Sequence, residues 1–333
     1  MMMVMKMSYV WDQKSDKLYE KVSKYVGPVV WSNYYRPLID EINQLKKENN
    51  SVILAHNYQN PLIYHCVADV VGDSLWLAKE ATKVKADTII QAGVYFMAET
   101  SKIMNPTKKV LIPDREAGCS LASSITAEQV RGLRKQYPGI PIVAYVNTTA
   151  EVKAEVDICC TSANAVKVVE SFDSPWVIML PDKYLAQNVA KQTYKFIIHW
   201  DGSCEVHEKF TKQEIDAYRN EYPGIEVLSH PECPREVVES SDFSGSTDGM
   251  IKYIEKNKPK QVMLLTECSM SDNIQYLSPS TEFLRPCNFC PHMQRITMEK
   301  IRDSLKYGKD KVTVDPDIID RARQSIQKMI DLG

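Results

Sequence analysis

Residues 51–58 read SVILAHNY, an apolar run that stops at a polar His-Asn-Tyr, and the pattern returns as PIVAYVN at 141–147 and EVLSHPE at 226–232. The residues closing the three runs, His56, Tyr145 and His230, stand 89 and 85 positions apart. Downstream of each comes an aspartate, Asp69, Asp157 or Asp242. A hydroxyl residue then opens a helical pattern: Ser74 in GDS, Ser162 in CTSAN, and Ser246 with Thr247 in GST. Each copy continues with a second apolar run (TIIQAG, WVIMLP, QVMLLTE), a further helical stretch, and a third run (KVLIPD, FIIHW and, most weakly, EFLRP). Self-similarity at a fixed period marks a repeated structural unit. Strand and helix in alternation predict parallel sheets with crossover helices. The expected fold class is therefore α/β, with three pseudo-symmetric αβα sandwich units around a central active site.

Each repeat ends in a cysteine. Cys119 in REAGCSLA, Cys204 in DGSCEVHE and Cys290 in CNFCPHM are 85 and 86 residues apart. If like units pack around a pseudo-threefold axis, equivalent residues converge on it, so these three thiols are expected at one point as metal ligands, leaving a metal centre one open position. Cys66, Cys159, Cys160 and Cys268 lack that spacing and read as small buried hydrophobes. The units are expected at 1–119 with 291–333, at 120–204 and at 205–290. Helices are expected over 13–50 and in the tail, where Asp315 can cap and Pro316 suits a first turn. Both flanks are expected to cover the first unit.

Composition narrows the function classes. Of 333 residues, 44% are apolar and 25% charged, an ordinary globular balance. The 41 basic and 43 acidic residues leave a net charge of −2, with no long basic run, so nucleic acid is not an expected partner. No apolar stretch approaches membrane-span length, and the Met-rich start is broken by Lys6, so no membrane partner and a cytoplasmic location are expected. Nine cysteines in such a chain turn attention to metal or thiol chemistry.

Ligands of open α/β sheets bind beyond the carboxyl ends of the strands, where His56, Tyr145, Asn147, His230 and Glu232 stand. Ser74, Ser162, Ser246 and Thr247 read either as helix N-caps or as anion-binding positions at helix N-termini. Three such termini facing one crevice suit a small, multiply anionic substrate. A three-thiolate centre with an open site fits zinc or an iron-sulfur cluster, and the residues leave both open. Cys287 and Cys290 also form a CxxC pair, a weak redox signal. No GxGxxG or GxxxxGK[ST] phosphate loop occurs, which weighs against dehydrogenase and nucleotidase readings.

In order, AHNYQ, GDSLWLA, AGVYFMAET, AGCSLA, YVNTTAEVKA, TSANA, LPDKYLA, CEVH, SHPEC and GST make the chain resemble the quinolinate synthase (NadA) family from about residue 30 to 300. The resemblance implies condensation of iminoaspartate with dihydroxyacetone phosphate to quinolinate, with loss of phosphate and water. It implies a 4Fe-4S cluster on Cys119, Cys204 and Cys290, whose open iron acts as a Lewis acid. Substrate contacts are implied at His56, Ser74, Tyr145, Asn147, Ser162, His230, Glu232 and Thr247, with Ser246 added as their neighbour. Glu232, Tyr58 and His207 are implied as catalytic, and L-aspartate oxidase as the upstream supplier. Where some relatives carry CxxCxxC, this chain has Leu284 before Cys287 and Cys290, so a regulatory disulfide is not expected here. The alternatives are an iron-sulfur hydro-lyase acting on a polyanion, which would not need dihydroxyacetone phosphate, and a thiolate metal sensor, which would not need the strand-end His, Tyr and Glu.

Overall fold

The computed structural model describes residues 16–333. Three four-stranded sheets follow one another along the chain. The first holds β1 (Ser51–His56), β2 (Val70–Gly72), β3 (Thr88–Ala92) and β4 (Lys109–Leu111), in the order β2-β1-β3-β4. The second holds β5 (Ile142–Tyr145), β6 (Ile158–Cys160), β7 (Trp176–Leu180) and β8 (Phe196–His199), ordered β6-β5-β7-β8. The third holds β9 (Glu226–Ser229), β10 (Phe243–Ser244), β11 (Gln261–Leu265) and β12 (Glu282–Leu284), ordered β10-β9-β11-β12. Every strand pairing in these sheets is parallel. In each sheet the chain moves outward on one side of its first strand and then returns to the other. The switch point thus falls beside β1, β5 and β9, at whose carboxyl ends a ligand crevice opens.

The repeated aspartates explain why the copies agree so closely. The carboxylates of Asp69, Asp157 and Asp242 accept from the N–H of Ile53, Ile142 and Val227, at 2.8, 2.7 and 2.8 Å. Each aspartate N–H in turn donates to the carbonyl of that same residue. Each carboxylate is also paired with a cation: Lys46, Arg134 or Arg219. One side chain thereby fixes the second strand against the first in every unit. A second repeated device lies seven residues beyond each repeat-terminal cysteine, where Thr126, Thr211 and Thr297 cap the helices Ala127–Gln136, Lys212–Glu221 and Met298–Tyr307. Their hydroxyls accept from otherwise unpaired first-turn N–H groups.

One buried cluster runs through all three units, from Ile53 and Leu54 through Val143 and Val168 to Leu228 and Leu264, so the units form one body. A smaller cluster around Phe210, Ile215 and Val237 covers the other face of the third sheet. Ahead of β1 lie helices Lys17–Val22, Pro28–Val30 and Arg36–Glu48, with a π-helical turn at Trp31–Tyr35; positions 13–15 of the expected helical stretch lie outside the described residues. Helix Met298–Tyr307 packs on Arg36–Glu48 and β3, in the first unit as expected. The last helix, Pro316–Leu332, departs from the expectation: it packs mainly on β6 and helix Ala150–Lys153 of the second unit, and touches the first through Tyr95–Met104. Its Ser325 hydroxyl donates to the Lys153 carbonyl at 2.7 Å, which holds it there. No helix among the described residues is long and apolar enough to cross a membrane.

Candidate active site

The three switch points open into one chamber. The first unit contributes His56, Tyr58, Ser74 and Cys119 to its walls. The second contributes Tyr145, Asn147, Ser162 and Cys204, and the third His230, Glu232, Thr247 and Cys290, with His207 between them. Residues more than 200 positions apart, such as His56 and Cys290, line one wall because the ends of equivalent strands face the same crevice.

Of the hydroxyl residues expected at this wall, Ser246 is absent. It caps helix Thr247–Asn257, accepting from the Gly249 N–H at 3.2 Å, and faces an outer groove. The capping reading fails for the others. Asp73 caps helix Ser74–Lys83 through the Trp76 N–H, and Ser162 lies ahead of its helix, 3.3 Å from His230 Nε2. Thr247 accepts from the Asn57 amide at 2.8 Å, which ties the first unit to the third. The Asn147 side-chain oxygen is buried without a protein partner in the chamber wall.

The two repeat-equivalent histidines share one arrangement. His56 Nδ1 accepts from the Tyr58 N–H at 3.2 Å, and His230 Nδ1 from the Glu232 N–H at 3.3 Å. A ring nitrogen that accepts carries no proton, so in both rings the N–H is on Nε2. Burial holds His56 down to about 4 and His230 to about 3, against the opposing pull of Glu232, so both are neutral donors near pH 7.

Glu232 is the hub. Its two oxygens take the Tyr145 hydroxyl at 2.5 Å and His207 Nδ1 at 3.0 Å. Burial pushes its carboxyl up, but His207 and His230, together with these hydrogen bonds, outweigh burial and hold it low. A carboxylate only accepts, so His207 donates through Nδ1 and turns Nε2 to the Thr266 hydroxyl at 2.9 Å. Thr266 meets the Tyr58 hydroxyl at 2.5 Å. The result is one continuous relay, Tyr58–Thr266–His207–Glu232–Tyr145. Burial first, then Glu232, raises both phenols well above their ordinary value, so each stays protonated. Thr266 is the member that sequence reading missed. Its only signal was its place directly after the third unit's QVMLL strand.

Cys119, Cys204 and Cys290 are free and line the same chamber. Each sulfur faces two main-chain N–H groups, two and three residues further on: Leu121 and Ala122, Val206 and His207, His292 and Met293. Paired N–H donors suit sulfur that carries negative charge, the form a metal binds. Without such a charge burial prevails, and it lifts Cys119 to about 12 and Cys290 to about 11. A second potential donor set, Cys204, His207 and Glu232, shares one sulfur with the first. Its histidine and carboxylate are already engaged in the relay.

One reading of the other cysteines needs correction. Cys66, Cys159 and Cys160 are free and buried, as expected, but Cys268 is joined to Cys287 with Cα atoms 5.0 Å apart. The Glu267–Asn288 bridge brings the two segments side by side, and Cys290 is left free. Absence of CxxCxxC thus did not mean absence of a disulfide beside this ligand.

A protein-family model described as quinolinate synthetase A protein matches residues 40–331. Quinolinate synthase of Sinorhizobium fredii is 58% identical over 315 residues, spanning 95% of this chain and 88% of that protein. Quinolinate synthase of Caulobacter vibrioides is 58% identical over 319 residues, 95% of this chain and 87% of its own length. Quinolinate synthase 2 of Mesorhizobium japonicum is 57% identical over 313 residues, covering 94% and 96%.

Proposed function

The chain belongs to the quinolinate synthase family, and from that premise we propose how its chamber is used. It is an enzyme of NAD biosynthesis that condenses iminoaspartate with dihydroxyacetone phosphate to quinolinate, releasing phosphate and water. Cys119, Cys204 and Cys290 hold a 4Fe-4S cluster, which when bound supplies an open iron as Lewis acid to an oxygen or nitrogen of the reacting species. The reading is carried by one observation: three equivalent cysteines, each with its own pair of N–H donors, face the same chamber as the relay.

His56 and His230 present neutral Nε2–H donors to substrate oxygens, alongside Ser74, Ser162, Thr247 and Asn147. Neutral donors bind carboxylates without requiring a charged imidazole in a buried site. Glu232, kept ionised, removes protons from the condensing carbon skeleton, and Tyr58, kept protonated, returns them to departing oxygens. His207 and Thr266 connect the two, so a proton taken at one end is available at the other. An acid and a base held apart by environment suit a sequence of dehydrations. The reaction is placed in the cytoplasm, with L-aspartate oxidase as the source of iminoaspartate, a product of amino-acid oxidation.

The test is anaerobic purification with iron and sulfide analysis, followed by a quinolinate assay on enzymically generated iminoaspartate plus dihydroxyacetone phosphate. Four irons and four sulfides per chain, with quinolinate formed, are expected. One zinc per chain would move the metal to Cys204, His207 and Glu232 and remove the cluster from the account.

A further inference from the structure

Outside the chamber lies a solvent-open groove whose wall shares Asp73 and Ser162 with it, and we take this adjoining groove as the chamber's outer mouth. Three lysines line this mouth, one from each unit: Lys79, Lys167 and Lys252. They are repeat-equivalent, for each stands five residues after its unit's chamber-lining hydroxyl residue: Ser74, Ser162 or Thr247. None is in an ion pair among the described residues, whereas Lys83, one turn beyond Lys79 on helix Ser74–Lys83, is paired with Glu80 and lies outside the groove. Lys167 and Lys252 are exposed and Lys79 partly so, which leaves their ammonium groups free for a ligand.

Two side-chain carboxylates oppose them, Asp73 and Asp248. Asp73 is buried as a helix cap with its carboxyl raised to about 6, by burial and then by Asp248, and Asp248 accepts from the Asn57 amide at 3.0 Å. Both are thus turned toward the protein, while the cations face the opening.

We infer that Lys79, Lys167 and Lys252 form an anion-capture site at the mouth, which draws small dianions, phosphorylated or dicarboxylate, into the chamber and helps to hold them there. The inference rests on the reading of the chamber as a site for such substrates. Cations set around a concave mouth focus field on its axis, and a dianion feels each of them twofold. With charges about 10 Å from the ligand, removing all three weakens dianion binding about tenfold at low salt, and about twofold once the Debye length falls below that distance.

The experiment is calorimetric titration of quinolinate, and separately of dihydroxyacetone phosphate, into anaerobically purified metal-loaded protein at about 20 mM and about 300 mM ionic strength. The parent is compared with the triple variant Lys79→Gln/Lys167→Gln/Lys252→Gln and with Lys83→Gln. Expected is a loss of about tenfold in the triple variant at low salt that shrinks at high salt, with Lys83→Gln matching the parent. A triple variant with the parent's affinity and salt dependence overturns the inference, as does equal weakening by Lys83→Gln. Parent protein that binds both dianions but makes no quinolinate would strike at the reaction alone and leave the lysine comparison readable.

Discussion

The neighbours of Glu232 leave it charged in a place where burial alone would neutralise it, and the proposed base role rests on that charge. Its exchange for glutamine keeps size and one acceptor but removes the charge. Glu232→Gln is expected to bind quinolinate within a fewfold of the parent while turnover falls by about 100- to 10,000-fold. Parent-like turnover would remove Glu232 from the proton path. Thr266→Val removes the hydroxyl that bridges Tyr58 and His207, leaving only their own longer contact of 3.5 Å, and Thr266→Ser restores it. A large loss of turnover in the first, recovered in the second, marks a relay; equal losses would mark packing. His56 has a consequence for stability. Its folded pKa, about 4, lies below the ordinary 6.5, so between those values the unfolded chain binds more protons. The stability it contributes is complete above about pH 6.5 and is lost as pH falls toward 4. His56→Gln should flatten that acid limb in urea melts, and an unchanged limb would refute this.

At the scale of elements, the repeated aspartate is the joint on which each sheet is assembled. Each carboxylate is partly exposed, so its cation partner contributes little, and the bonds to strand N–H groups carry most of the effect. Asp157→Ala strands the Ile142 N–H in the core of the second sheet and should cost about 1–3 kcal/mol, read from the urea midpoint. Arg134→Ala should cost less than about 1 kcal/mol. The reverse order would mean that the ion pair, not the strand clamp, holds the joint.

For the whole molecule, function depends on three units closing a ring. Helix Met298–Tyr307 shares its threonine cap with Ala127–Gln136 and Lys212–Glu221 and packs on β3 of the first unit, so the tail returns to the unit from which the chain set out. If the three cysteines meet at the axis as equivalents, Cys119→Ser, Cys204→Ser and Cys290→Ser should each abolish stoichiometric iron binding, while Cys160→Ser should leave it intact. A variant among the three that keeps its full iron would break that equivalence.

The sequence by itself determined the unit count, the parallel sheets, the three repeat-terminal cysteines and about half of the chamber wall. These follow from local patterns, strand period, turn residues and spacing, repeated three times and so reinforced by agreement. Folding alone decided the rest. Thr266 joins the relay through Tyr58, 208 positions earlier. Ser246 turns to a cap, Cys268 finds Cys287, the last helix settles on the second unit, and three lysines meet at one mouth. Such contacts depend on how finished units dock, and docking is set by shape and burial between distant surfaces. Neighbouring residues carry no record of those surfaces.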